Sequence, residues 1–185
     1  MHGLPHEVDQ QILATVGSRS RLVKGKTMGA STSVYDEFIR PHWTEPERTN
    51  LQIVGSFVEG IKAKKFDEVI EQYKDSAYIQ HNRSVQSGVK AIVEVNKKLA
   101  KQFPEFTLTA KHVYVDGEFV TFHSHVTFKA KHRGDDTKGL NVVDIWKVSD
   151  GNIVEHWDSL QPLDFMSRLL TLLTGGAIRN DNGVF

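Results

Sequence analysis

The chain has no cysteine. That removes disulfides, thiolate metal sites and cysteine nucleophiles together, and it suits a reducing compartment. Charge of one sign is also missing: 23 Lys and Arg balance 23 Asp and Glu, so no basic excess calls for nucleic acid or an anionic membrane. No run approaches the roughly 18 apolar residues of a membrane span. The opening Met1-His2-Gly3-Leu4-Pro5-His6-Glu7 lacks the apolar stretch of a signal peptide. These absences predict a cytoplasmic protein with no membrane and no nucleic-acid partner. There is no G-x-G-x-x-G and no G-x-x-x-x-G-K-[ST], so nothing supports a nucleotide cofactor, and there is no G-x-S-x-G nucleophile elbow.

What remains is ordinary globular material. A length of 185 residues suits one domain with appendages, and 39% apolar residues can bury a core without staples. Residues 1–43 carry Gly and Ser clusters and weak periodicity, and read as an N-terminal arm with one short helix through Val8, Ile12 and Val16. The domain opens at Thr44-Glu45-Pro46-Glu47, an S/T-x-x-E capping box with proline in the first turn. Leu51, Val54, Phe57, Val58 and Ile61 then recur at helical spacing, which predicts a helix over 46–63. A second short helix follows through Phe66, Val69, Ile70 and Tyr73. Residues 77–81 read as a short strand, and Val89, Ile92, Val93, Leu99 and Phe103 as a helix stopped by Pro104.

Beyond Pro104 the period changes from helical to alternating. Residues 107–116 and 119–130 form one β pair through Asp116-Gly117. Residues 140–148 and 153–160 form another through Ser149-Asp150-Gly151. Helices first and a meander after predict an α+β fold, a curved antiparallel sheet packed on the N-terminal helices, over 44–162. Residues 163–185 read as an amphipathic helix and tail, with Leu163, Phe165, Met166, Leu169, Leu170, Leu172 and Leu173 ahead of Gly175-Gly176.

Nine histidines are present, and their placement suggests chemistry. Residues i and i+2 share a strand face, so His123 and His125 point together, opposite Val120, Phe122 and Val126. That face is either solvated or lines a pocket. In the last hairpin the facing depends on the turn. A two-residue Asp150-Gly151 turn sets Asp144 opposite Trp157 and turns His156 away. A type I turn ending in a bulged Gly151 sets Asp144 opposite His156, with Asp158 on the same face. One residue of slip reverses every facing, and Ser-Asp-Gly favours the bulged turn.

A carboxylate beside imidazoles in a partly desolvated pocket is equipped to take a proton next to a carbonyl, with imidazoles or amides holding the enolate oxygen. The same pair could simply tie two strands together. His81-Asn82, at a strand end, could reach the pocket mouth and hold a carbonyl. Trp146 reads as wall or core. Converging His and Asp side chains could hold zinc or iron, but no H-E-x-x-H or H-x-x-E-H spacing occurs, and no metal is expected.

Two stretches carry a resemblance: Tyr78-Ile79-Gln80-His81-Asn82, and Val143-Asp144-Ile145-Trp146-Lys147 continuing through Asp150-Gly151-Asn152-Ile153-Val154-Glu155-His156-Trp157-Asp158. Together they resemble the SnoaL-like proteins of the NTF2-like superfamily, the group of polyketide cyclases and predicted aldol-condensation enzymes. The resemblance implies a cone-shaped α+β barrel, often a homodimer through the sheet, with a deep pocket and no cofactor. It implies Asp144 as acid/base, His123 or His125 as pocket histidine and Asn82 as carbonyl ligand. The expected catalytic set is therefore Asp144, His125, His123 and His156. The expected substrate-binding set is Asn82, His81, Trp146 and Asp158. The partner is a small carbonyl substrate, polyketide-like in this family, and the implied reaction is that of a cofactor-independent lyase or isomerase. The alternative is a non-catalytic small-molecule-binding or dimerisation module of the same fold.

Overall fold

The computed structural model describes residues 33–174. The expected helix around Val8 and the glycine stop at Gly175-Gly176 lie outside them. Helix α1, Glu45–Lys62, begins where the capping box predicts: Thr44 Oγ1 accepts from the Glu47 backbone N–H, and Glu47 returns a carboxylate to the Thr44 N–H at 2.7 Å. Helices α2, Phe66–Gln72, and α3, Val89–Gln102, bracket the two-residue strand β1, Ile79–Gln80. Strands β2 (Thr107–Asp116), β3 (Phe119–Thr127), β4 (Leu140–Ser149) and β5 (Asn152–Pro162) follow, and helix α4 is Phe165–Thr174.

The strands form one sheet in the order β1-β5-β4-β3-β2. Three neighbours pair antiparallel, but β1 joins the edge of β5 in parallel, so the sheet is mixed rather than wholly antiparallel, and it stays open. The chain leaves β1 through a loop into α3 and must cross back to reach the meander, a connection that parallel pairing requires.

Alternation decides the two faces. Val113, Val115, Val120, Phe122, Trp146, Val148 and Ile153 turn inward and pack on Leu51, Val54, Phe57 and Val58 of α1. Residues 33–43, grouped by sequence with the arm, add Tyr35 and Trp43 to that core. The first hairpin loop is Gly117-Glu118, one residue later than Asp-Gly suggests, because Asp116 still pairs with Phe119. Gly117 leads the loop with a φ of 56°, the position where a type II′ turn needs glycine.

The last hairpin corrects the sequence reading. Ser149 pairs with Asn152, so Asp150-Gly151 is a two-residue turn, with φ of 50° and 76° as in a type I′ turn. The expected bulged Gly151 is not formed. The extra residue sits further along: Val148 pairs with Ile153 but Lys147 with Glu155, which leaves Val154 bulged. This bulge restores the parity that the tight turn would have lost. Asp144 ends opposite Asp158, and Trp146 opposite His156, with all four on the inner face.

At the entry to β4, Gly139 has a φ of 83°, and a Cβ there would lie 2.0 Å from the Val126 carbonyl oxygen. Gly139→Ala is expected to destabilise the fold by about 2–3 kcal/mol. It should lower the denaturant midpoint with an unchanged slope, and an unaltered midpoint would contradict this account of β4.

Candidate functional site

The site is built where the β5 bulge turns His156 inward. His156 is buried, and its Nε2 lies 3.2 Å from Asp144 Oδ1. On its other side, Nδ1 meets the Gln80 amide, with Nε2 at 3.0 Å and Oε1 at 3.2 Å. Gln80 is fully buried, and its Oε1 accepts the Asn82 backbone N–H at 2.9 Å. With Oε1 so engaged, Gln80 Nε2 donates to Nδ1 of neutral His156, and Nε2–H of the ring donates to Asp144. If the ring gains a proton, Gln80 Oε1 can accept it instead. Either protonation state is therefore served.

Asp144 is anchored by one oxygen only. Its Oδ2 is buried without a hydrogen-bond partner. Beside it runs a cavity of about 90 Å³, with walls that include Phe57, Val58, Ile61, Ile92, Phe106 and Leu108. Tyr78, Trp146, Asp144 and His156 also line it, and Lys62 and Asn96 add polar groups. Trp146 stacks on the His156 ring at 5.1 Å between centroids, and Tyr78 lies 5.8 Å from the same ring.

Asp158 and Asn82 form an adjoining pair, with Asn82 Nδ2 donating to Asp158 Oδ1 at 2.7 Å. The Asn82 side-chain Oδ1 accepts the Ser84 backbone N–H, which orients the amide toward the carboxylate. Burial pushes the Asp158 carboxyl above the usual carboxylate range. His156 pulls it down, nearby Asp144 pushes it up, and the Asn82 hydrogen bond pulls it down again.

Asp144, His156 and Asp158 each offer one ligand atom, all within 4.8 Å of one another, so these three could hold a divalent ion. The amide of Asn82 and the indole of Trp146, however, present N–H groups, which suit an oxygen acceptor better than a cation.

Three expected residues fall elsewhere. His123 pairs with Val143 and His125 with Asn141, so both lie on the opposite face of the sheet from Asp144. The cause is the same two-residue alternation that turns Phe122 toward the core. His123 Nε2 is 2.6 Å from Asn141 Oδ1, and its Nδ1 is 3.1 Å from His112 Nδ1. His125 is buried under the following loop, with Nε2 2.7 Å from the Lys138 carbonyl. Both line an outer groove of about 360 Å³ with Lys111, His112, Asp136 and Asn141. His81 also faces away: it meets Glu155 at 3.1 Å and stacks flat on Trp157 at 4.4 Å.

Gln80 and Tyr78 escaped the sequence reading. Their signal was available in the alternation of Tyr78, Gln80 and Asn82 against Ile79 and His81 along one short strand.

Because the folded-state pKa of Asp158 is raised, its ionisation costs stability. The cost is absent below the unfolded carboxylate pKa and grows as pH rises through the folded one. Asp158→Asn should therefore be more stable than wild type at neutral pH, with the two melting curves converging in acid. A variant less stable at neutral pH would contradict that sign.

Comparison with known proteins extends the geometry. No curated protein matches the chain. Solved structures do match in fold. A candidate polyketide cyclase from Bacillus cereus superposes with a TM-score of 0.56 at 20% identity, covering 76% of this chain and 89% of that one. A candidate SnoaL-like polyketide cyclase from Jannaschia gives 0.52 at 15% identity, covering 75% and 98%. AclR, a candidate hydroxylase from Streptomyces galilaeus, gives 0.51 at 17%, covering 66% and 85%. The profile of the SnoaL-like domain matches residues 54–156, from the core face of α1 through His156. With more than half its length inside that match, and the residues lining the pocket all within it, the chain belongs to the SnoaL-like domain family.

Proposed function

We propose that the protein is a cofactor-independent lyase or isomerase of the aldol-cyclase type, acting on a small carbonyl compound. The observation that carries the proposal is Asp144, whose Oδ1 is held by His156 while Oδ2 stands buried and unpartnered beside an apolar cavity. A carboxylate so placed has one oxygen fixed for aim and the other free to accept a proton. Asp144 Oδ2 takes the proton from the carbon next to the carbonyl, and the C–H electron pair moves into a C=C bond as the carbonyl oxygen becomes an enolate. In a ring closure the enolate carbon then bonds to a second carbonyl of the same molecule. The new alkoxide recovers the proton from Asp144.

His156 orients Asp144 and supports its charge. Asn82 and Asp158 form the next link outward, and Asn82 remains a candidate for holding substrate if the pair opens. His123 and His125 have no part in this scheme. The cavity of about 90 Å³ is smaller than the roughly 300–1,000 Å³ of pockets for drug-sized ligands, which favours a small carbonyl compound over a polycyclic one. Asp144→Asn should lower turnover of a cyclisable β-keto ester by roughly 10²–10⁴-fold while leaving the fold intact by circular dichroism. Equal rates for the two proteins would refute Asp144 as base. Prior dialysis against a chelator should leave the rate unchanged, whereas loss restored by zinc would favour the metal reading of Asp144, His156 and Asp158.

A second reading, a binding or dimerisation module, draws on helix α4. Phe165, Met166, Leu172 and Leu173 are all strongly exposed there, an apolar surface that an assembly would cover. On that reading, removing residues 163–185 converts a homodimer into a monomer in light scattering. An oligomeric state that survives the deletion would exclude α4 as the interface.

A further inference from the structure

The cavity beside Asp144 changes character along its lining. Phe57, Val58, Tyr78, Trp146 and His156 are buried, as Asp144 is. Ile61, Lys62, Ile92, Asn96, Phe106 and Leu108 are all partly exposed. The cavity is therefore dry around Asp144 and reaches water where the end of α1, the middle of α3 and the start of β2 come together. Apart from His156, two charged side chains line it, and they differ in sign and in setting. The Asp144 carboxylate lies in the buried part and the Lys62 ammonium at the opening.

Lys62 is held in place rather than trailing in solvent. Its side chain is 26% exposed, and its Nζ lies 2.6 Å from Glu59 Oε1. The same oxygen accepts the Tyr35 hydroxyl at 2.7 Å. Tyr35 belongs to the core, and burial, with Glu59 adding to the rise, pushes its phenol well up. The hydroxyl therefore keeps its proton and anchors Glu59, which in turn anchors Lys62. An ammonium carries three N–H groups, of which Glu59 takes one. That is the only ion pair of Lys62 among the described residues, so it leaves the charge of Asp144 unquenched. A partly exposed pair of this kind contributes little, and an incoming carboxylate can share the ammonium at small cost.

A second ammonium stands near the same opening. Helix α1 ends with the Lys64 N–H on the Ile61 carbonyl at 3.0 Å and the Lys65 N–H on the Gly60 carbonyl at 2.9 Å, a Schellman motif. Lys64 takes the left-handed position of that motif, with a φ of 58°, where glycine is usual. From there its Nζ donates to the Pro104 carbonyl at 2.9 Å, two residues before Phe106 of the lining. Asn96 gives one amide N–H to the Ile92 carbonyl at 2.9 Å and has a second.

We infer that the cavity takes a small oxo acid, its carboxylate on Lys62 at the opening and its carbonyl and adjacent C–H against Asp144. The inference rests on the Asp144 reading for which part of the ligand reacts. The reverse placement would set two carboxylates together in a dry wall, where like charges repel far more than in water. At the opening the carboxylate keeps part of its hydration and gains a cation, so its burial penalty is small. A neutral ketone has no such handle and can enter either way round. Fixing the far end of the ligand therefore holds the C–H near Asp144 Oδ2, the positioning that a proton transfer needs. Lys62 touches no reacting atom in this arrangement and sets specificity.

The test compares two ligands of matched shape, levulinate and isoamyl methyl ketone, which carries an isopropyl group in place of the carboxylate. Both are titrated by calorimetry at neutral pH and low salt. Wild type should bind levulinate roughly tenfold more tightly, the worth of a hydrogen bond between charged groups, and added salt should narrow the difference. Lys62→Met keeps the stem and removes the charge; it should abolish the preference by weakening levulinate alone, and Lys62→Arg should retain it. Equal affinities in wild type, absence of binding by either ligand, or a preference that survives Lys62→Met would overturn the inference. Binding needs no proton transfer, so the two readings fail separately. Levulinate preference in a protein that exchanges no carbon-bound hydrogen would keep the oxo-acid site and sink Asp144 as base. Asp144-dependent exchange with no preference between the ligands would do the reverse.

Discussion

The hydrogen bond between His156 Nε2 and Asp144 Oδ1, 3.2 Å across the β4–β5 pair, is the contact on which the rest of the site depends. It exists only because β5 carries a bulge. The type I′ turn at Asp150-Gly151 would otherwise send His156 to the outer face, leaving a buried carboxylate with no partner. The bulge at Val154 inverts the alternation within the first turns of the strand, and from there His156 and Asp158 look inward. Gln80 completes the arrangement from the parallel edge strand, where β1 and His156 meet in register. Three strands thus supply one linear chain, Gln80 to His156 to Asp144, whose last atom opens on the cavity. A buried polar chain of this type is stable only when each member is satisfied. All members are satisfied except at Oδ2, the point where a substrate proton would arrive.

The outer face shows what the same side chains do without that enclosure. His112 and His123 stack at 5.2 Å with their Nδ1 atoms facing, and His125 is tied to the Lys138 carbonyl. These imidazoles engage one another, a side-chain amide and a loop carbonyl, with Asp136 3.9 Å from His125 across an open groove. They share no wall with Asp144. The family resemblance led to His123 or His125 as the pocket histidine. In this chain the imidazole beside the carboxylate comes from the following strand, as His156. The two arrangements differ by which side of a pleat a residue occupies, a distinction that spacing within β3 could have settled. Phe122 is fully buried, and its immediate neighbours on either side must face away.

Much of the fold was legible. The capping box at Thr44, the apolar stripe of α1 and the change to period two after Pro104 are local signals, and each produced the element expected of it. Less visible was anything that depended on pairing. The parallel placement of β1 is a long-range event with no signature in five residues. The Val154 bulge appears only in the pairing of β5 with β4 and has no turn motif to announce it. The expectation that Asp144, His156 and Asp158 would share a face was met through a different device from the one anticipated. Two errors of parity, in the turn and in the position of the extra residue, cancelled. Tyr78 and Gln80 were overlooked because neither a phenol nor an amide announces chemistry by type. Their importance comes from complete burial beside His156.

The account therefore comes down to whether a carboxylate oxygen, buried and left open, draws a proton from carbon. The most direct measurement is deuterium wash-in: a simple ketone small enough for the cavity is incubated in heavy water with the protein, and label at the carbon beside the carbonyl is followed by mass spectrometry. The account predicts label entering faster than in buffer alone, with the acceleration lost when the ketone is replaced by one lacking an adjacent C–H or when the cavity is blocked by a tight ligand. Label entering no faster with the protein than with buffer of matched carboxylate content would contradict it.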